Sequence, residues 1–468
     1  MKRKLSLLLC FITMVTFSGC SCKGFLNPTD SSQSGMGGEA DATLVDPRTG
    51  DVADNVILFG ENKNEFPMGV WAPVGNSMFI GDEVYADIAA AGYNFAVGEA
   101  EFTNQHRSQS LEAAAKSGIG LFFTQSSIIA ANRPNTAADI KSKEECAQII
   151  KELDISFAKD YDNFLGYVMT DEPNKLGIQQ IGNFMQAYNE AFADKGWLGY
   201  SNIFPSYADM LNIGYLEWEE YVRDYVATTQ LPYLSIDYYP HSKNSGTVFG
   251  LITDMDKAAK IAQEADIPLW ATIQTVESPL EQFTITEGIA RQANYLNLAM
   301  GAKGMTAWLY GIPSHHNLTT AMVNLKGEKT YVYDVVRKAN LEIAELANYM
   351  LTLDYQYVAF MDSSFPSYPK FAKPVADFCS AGNYLTGLGG DGYIVTEMKN
   401  SYGDVKYFVV NLSEKNACTA ELNWNTDNVE YFHLWEDGER TGYRRTESKL
   451  ILKLDAGEGI LVEPNVKA

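Results

Sequence analysis

From Phe66 onward the chain repeats one pattern: a short apolar run, a polar loop, then a stretch whose apolar positions recur every three or four residues. The runs are FPMGVWAP at 66–73, YNFAVGEAE at 93–101, GIGLFFTQ at 118–125 and FLGYVMTDEP at 164–173. They continue with LGYSNIFPS at 198–206, LPYLSIDYYP at 231–240, PLWATIQTVES at 268–278 and GMTAWLYGIP at 304–313. Between them lie stretches of helical spacing such as VYADIAAAG, SLEAAAKSG, EECAQIIKELDISFAKDY and IARQANYLNLAMGA. Gly92, Gly196 and Gly301 stand just before the next run and Gly118 opens one, at places where a left-handed residue closes a helix. Eight such units predict an α/β fold in which a parallel sheet closes into a (β/α)8 TIM barrel, and the span 66–313 matches the roughly 250 residues typical of it. A doubly wound open sheet would carry a glycine-rich phosphate loop after its first strand, and none follows FPMGVWAP.

Past a helical stretch at about 331–350 the period changes to two. GYIVTEMK, KYFVVNLS, TAELNWN, VEYFHLWED and GEGILVEP alternate between turn residues such as Gly390-Asp391-Gly392 and Asp437-Gly438. The expectation is a barrel over 61–352 followed by a small C-terminal antiparallel β-sandwich over 353–468, with a structural role for the sandwich.

The first residues break this pattern. Lys2, Arg3 and Lys4 precede an apolar run from Leu5 to Phe17, and Ser18-Gly19 lead into Cys20. The run is too short to span a membrane and has the layout of an export signal. It resembles a bacterial lipoprotein signal, which implies a signal peptide over 1–19, lipidation of Cys20, and a chain exported and held in the cell envelope, outer membrane by expectation, through a lipid anchor only. Residues 20–60, rich in Ser, Gly, Asp and Asn, are expected as a flexible tether. Of the six cysteines, Cys146 reads as a buried helical residue, and a Cys379–Cys418 disulfide is left open by the sequence.

A net charge of −23 without clustered Lys or Arg excludes nucleic acid as a partner. The five histidines show neither HExxH nor other paired ligand spacing, so no metal and no cofactor is expected, and no Gly-x-Ser-x-Gly elbow suggests a serine esterase.

In such barrels chemistry sits at the C-terminal ends of the strands. Asp171 and Glu172 end the fourth run, with Pro173 stopping the strand. Asp237 and Tyr239 end the sixth, Gln274 and Glu277 the seventh, Trp308 and Tyr310 the eighth, and Trp71 the first. Glu99 and Glu101, ending the second, read as solvated loop acids. Carboxylates and aromatic faces on one rim are the equipment for handling a sugar, because one protonated and one ionised carboxyl group are needed to cleave a glycosidic bond.

GYVMTDEPN at 166–174, within this barrel pattern, resembles the (β/α)8 glycoside hydrolases of the large clan with an acid/base Glu after the fourth strand, commonly in Asn-Glu-Pro, and a nucleophile Glu after the seventh. The resemblance covers residues 66 to about 465 and implies an oligosaccharide or polysaccharide substrate. It also implies Glu172 as acid/base and Glu277 as nucleophile of a retaining mechanism, while the strand-end positions of Trp71, Asp237, Tyr239, Gln274, Trp308 and Tyr310 lead to the expectation that they contact the substrate. Here Asp171 replaces the usual Asn, and Gln274 competes with Glu277 for the strand-end position. An Asp-Glu pair after strand four also resembles enzymes of N-acetylhexosaminides, in which the substrate's acetamide attacks, the Asp orients it and the Glu is the acid. A carbohydrate-binding lipoprotein without turnover is the third expectation.

Overall fold

A computed structural model of the chain describes residues 43–44, 47–60, 64–72, 80–98, 103–241, 246–277, 284–313, 318–364, 370–381, 384–445 and 447–466. The signal peptide, Cys20, Glu99, Glu101, His315 and His316 lie outside the described residues. Among the described residues no helix is long and apolar enough to cross a membrane.

Each of the eight apolar runs contains one strand: β1 Met68–Trp71, β2 Phe95–Gly98, β3 Gly120–Phe123, β4 Phe164–Val168, β5 Leu198–Tyr200, β6 Leu234–Asp237, β7 Leu269–Gln274 and β8 Gly304–Trp308. They pair in parallel in the order β5-β4-β3-β2-β1-β8-β7-β6. The remaining gap is closed by a parallel bridge between Ile203 and Ile236. There Ile203 N donates to Ser235 O at 2.9 Å and Asp237 N to Ile203 O at 3.2 Å. This closure sets Asp237 beside the residues that follow β5.

The strands are short and nearly all buried, because one face meets the helices and the other fills the barrel. The interior is aromatic: Trp71, Phe95, Phe122, Tyr200, Tyr233 and Trp270 pack there, with Tyr233 and Trp270 stacked at 4.3 Å. Glycine in two neighbouring strands makes room for these rings. A Cβ on Gly69 would sit 2.2 Å from Phe95 and one on Gly304 would sit 2.7 Å from Trp270. The four glycines expected to close helices, Gly92, Gly118, Gly196 and Gly301, all have φ between 65° and 90°.

Of the expected tether, residues 47–60 are instead docked on the folded body. Phe59 enters the barrel interior, 4.9 Å from the Phe95 ring and 6.1 Å from that of Trp270, and Arg48 pairs with Asp404 at 2.6 Å. The polar composition of 20–60 hides the short apolar run Val56-Ile57-Leu58-Phe59 that drives this docking.

The C-terminal region forms two antiparallel sheets. Six strands, β9 Leu353–Met361, β11 Tyr393–Asn400, β12 Val405–Asn411, β14 Val429–Glu436, β15 Glu439–Arg444 and β17 Gly459–Val466, make the larger one. Three more, β10 Leu385–Asp391, β13 Cys418–Trp424 and β16 Lys449–Leu454, make the smaller. Side chains on a strand alternate between faces. In β12 Phe408 and Val410 join the core shared with the barrel, whereas Val405, Tyr407 and Val409 join the core between the two sheets. The larger sheet is therefore a middle layer, buried on both faces. Cys379 and Cys418 are free thiols, and Cys146 is buried in helix Lys143–Lys151.

Candidate active site

Beyond β4 the chain runs on in register for one more step, Met169 N donating to Tyr200 O at 2.8 Å, and then turns. Glu172 takes a φ of 49°, a left-handed conformation that costs a residue with a side chain roughly 1 kcal/mol. Its amide donates to Asn202 O at 3.1 Å. The turn is pinned on its far side by Tyr221, whose hydroxyl donates to Pro173 O at 3.0 Å and accepts from Phe204 N at 3.2 Å. Asn174 then caps helix Lys175–Ala191, its Oδ1 accepting from Gly177 N at 2.9 Å. A strained Glu fixed from both sides is what an acid needs if it is to point one way.

Three carboxyl groups meet here: Asp171 and Glu172 after β4, and Asp237 at the end of β6. Burial pushes the Glu172 carboxyl well above the ordinary range, and the charges of Asp237 and Asp171 push it further, against the opposing pull of Arg133. Asp237 is raised by burial and then by Asp171, while a hydrogen bond from Tyr239 favours its ionised form. Asp171 is raised by burial too, but Arg133 and a hydrogen bond from the Asn202 side chain hold it down. The acids thus divide by environment. Asp171 has the cation and the amide donor and is the natural seat of the negative charge; Glu172 is the one kept protonated.

The orientation of Asn202 follows from its other bonds. Its Oδ1 accepts from Tyr200 Oη at 3.0 Å and from Ser235 Oγ at 2.7 Å, which turns the NH2 toward Asp171. Arg133, on the loop after β3, is braced by Nε donating to Thr170 Oγ1 at 3.0 Å. Asn202 lies inside the run LGYSNIFPS, two residues past the end of β5, and a search for acids and rings at strand ends passes over an amide. Arg133, after a short helix, carries no such signal.

The structure does not bring Glu277 to this cluster. β7 ends at Gln274, so Gln274 holds the strand-end place and Glu277 lies three residues on. Its Oε1 accepts from Ile285 N at 2.9 Å and from the Tyr331 hydroxyl. Ile285 lies two residues before helix Glu287–Ala299 and Tyr331 is the first residue of helix Tyr331–Met350, so the carboxylate ties together the starts of two helices. Gln274 is half-buried and donates to Val276 O at 3.1 Å. Among the aromatics, Trp71 is 4% exposed and packs edge-on against Tyr200 and Trp308, forming floor, whereas Trp308 is half-buried. Tyr310, expected as a sugar contact, is instead buried in the outer core with Tyr93 and Tyr333, on the helix side of the sheet.

Asp171 and Glu172 line a cavity of about 520 Å³ between the loops after β3, β4 and β5. A larger hollow of about 650 Å³, walled by Asn104, Arg107 and Asp154, holds none of the three acids. Among the described residues no group of three His, Cys, Asp or Glu side chains is arranged to hold a metal ion.

No family model matches the chain, and no curated protein matches it. Solved structures do. One described as a glycoside hydrolase aligns with a TM-score of 0.50 at 12% identity, covering 89% of this chain and 98% of its own. An α-amylase from Anoxybacillus aligns with a TM-score of 0.51 at 9% identity, covering 86% of this chain and 98% of its own. At these identities the likeness establishes the fold, a barrel followed by antiparallel sheets.

Proposed function

We propose that this chain is a glycoside hydrolase acting on a glycan, with Glu172 as general acid and Asp171 as the ionised partner. The observation that carries the reading is the gathering of Asp171, Glu172 and Asp237 at one buried mouth, with Arg133 and Asn202 placed to keep the charge on Asp171. Glu172 gives its proton to the glycosidic oxygen as the bond to the anomeric carbon breaks, and the leaving sugar departs as an alcohol. Water then adds to that carbon and returns a proton to Glu172, so that one water is consumed per bond cleaved. Known structures sharing the fold include named glycoside hydrolases, in keeping with this reading.

The bonds of Glu277 favour the substrate-assisted version, in which an N-acetyl group on the substrate attacks and Asp171 orients it. A retaining route through Glu277 requires that carboxylate to leave Ile285 and Tyr331. Turnover on aryl glycosides and oligosaccharides, N-acetylhexosaminides included, tests both. Glu172→Gln should lower kcat by about 10²–10⁴-fold. Asp171→Asn should do likewise, while Glu277→Gln keeps kcat within a few fold of wild type and lowers stability. If Glu277→Gln abolishes turnover and Asp171→Asn does not, the retaining route holds; if Glu172→Gln changes nothing, the hydrolase reading falls.

The lipoprotein reading belongs to the same proposal, resting on the basic start, the apolar run and Ser-Gly-Cys at 18–20. Labelling of the expressed chain with a radioactive fatty acid should be lost in Cys20→Ala.

A further inference from the structure

Below the mouth, a row of hydrogen-bonded side chains crosses the barrel interior from β7 to Asp171. Thr272 Oγ1 on β7 lies 3.1 Å from Thr306 Oγ1 on β8, which lies 3.1 Å from the hydroxyl of Tyr200 at the end of β5. Tyr200 donates to Asn202 Oδ1 at 3.0 Å, and Ser235 Oγ on β6 donates to the same oxygen at 2.7 Å. The Asn202 side chain then bonds the Asp171 carboxylate. Tyr200, Ser235 and Thr306 are 0% exposed and Asn202 and Thr272 2%, so the row reaches a substrate only through Asp171.

A hydroxyl has one hydrogen to give. The amide oxygen of Asn202 has none, so Tyr200 and Ser235 each spend theirs on it. Tyr200 must then accept from Thr306, and Thr306, its own hydrogen spent, must accept from Thr272. Every hydrogen in the row points toward Asp171. Bonds aligned head to tail polarise one another, each strengthening by roughly 10–30%. With Asn202 turned over the whole row reverses: its NH2 gives to Tyr200 and Ser235, and its oxygen faces Asp171, an arrangement that a carboxylate repels and a carboxylic acid satisfies.

We propose that Thr272, Thr306, Tyr200 and Ser235 are positioning residues for Asp171: their aligned hydroxyls hold Asn202 with its NH2 toward that carboxyl and thereby select its ionised form. The catalytic consequence rests on the hydrolase reading; the selection of charge is a property of the folded chain alone. Among the described residues the other titratable groups facing Asp171 are Arg133 after β3, the adjoining Glu172, Asp237 and Tyr239 from β6 and its loop, and Tyr225 on helix Trp218–Thr229. Of these Arg133 alone favours the charge, and it does so from an exposed position. The row supports the same charge from within the core.

The test uses the full chain and needs no substrate. Burial already raises the Asp171 carboxyl above its unfolded value, so ionising it costs stability at high pH and nothing at low pH, where both states are protonated. Loss of the row raises it further. The unfolding constant of Tyr200→Phe relative to wild type, from denaturant titrations, should therefore be about three- to tenfold larger at pH 8 than at pH 3. Thr306→Val keeps its shape, stands one bond further off, and should show the same excess at about twofold. In an Asp171→Asn background both excesses should vanish. Equal destabilisation at the two pH values, or an excess that survives Asp171→Asn, reduces the row to packing; it overturns the proposal and leaves the hydrolase reading standing. With the excess present, the acidic limb of kcat/KM on a cleaved glycoside should rise in Tyr200→Phe while the alkaline limb of Glu172 stays. An excess in unfolding with no turnover on any glycoside overturns the hydrolase reading and upholds the row's hold on Asp171.

Discussion

At the scale of single residues the site stores instability. Asp237 is 8% exposed and its carboxyl is raised above the ordinary range by burial and by Asp171. At low pH this group is neutral in both folded and unfolded chains and contributes nothing. As pH rises past about 3.9 the unfolded chain ionises first, so the folded state loses ground until its own carboxyl ionises. Asp237→Asn removes that penalty. It should stabilise the protein by about 1–3 kcal/mol at pH 7 and not at all at pH 3, measured by denaturant unfolding; an equal gap at both pH values would show that packing, not ionisation, is the cause. The same shifts set the activity profile. Under the proposed roles, Asp171 ionised and Glu172 protonated, both limbs of a bell-shaped kcat/KM curve should lie above the ordinary carboxylate range, and Arg133→Gln should move the acidic limb further up because Asp171 loses its cation.

The elements were largely legible, and the reason is physical. All eight strands lie within the apolar runs because a parallel strand buried on both faces must be continuously apolar, and glycine closes the helices because the turn needs positive φ. Asp171 and Glu172 stand where the strand-end rule looks, just past β4. Between Gln274 and Glu277, which the sequence left in competition for the strand-end place, β7 decides for Gln274: it is the longest barrel strand, and apolar spacing does not reveal where it ends. The docking of residues 47–60 was hidden for a different reason: its apolar run is only four residues long and gains its partners from a distant barrel. Phe59, 7% exposed, is its anchor, and Phe59→Ala should cost about 3–5 kcal/mol in thermal or denaturant unfolding. A loss under about 1 kcal/mol would mean that the segment merely rests on the surface.

For the whole molecule, barrel and sandwich share one core across residue 353, where the sequence changes period. The larger sheet gives Leu353, Val358, Phe408, Val410 and Leu461 to the core around the barrel helices. Helix Glu287–Ala299 faces it, with Tyr295 edge-on to Phe408 at 6.1 Å and Arg291 bonded to Asp437 at 2.9 Å. Polar contacts repeat the pattern. Glu463 is fully buried in β17, accepts from Trp435 Nε1 at 2.9 Å and Arg440 Nε at 2.7 Å, and takes the hydroxyl of Tyr349 from the barrel's last helix. Lys406 Nζ lies 3.5 Å away. Breaking such a network by removing one partner leaves buried charge uncompensated, so Glu463→Leu should cost about 3–5 kcal/mol and lower barrel and sandwich stability together. Cutting the chain after Thr352 has the harsher consequence, since it strips the cover from the helices that packed against the middle layer and exposes a contiguous apolar face. The truncated chain should be recovered as aggregate, without turnover, while the intact chain melts in a single transition by tyrosine and tryptophan fluorescence and by circular dichroism alike. A soluble, cooperatively melting, active 47–352 fragment would show instead that the sandwich is an attachment and that the barrel carries its own core.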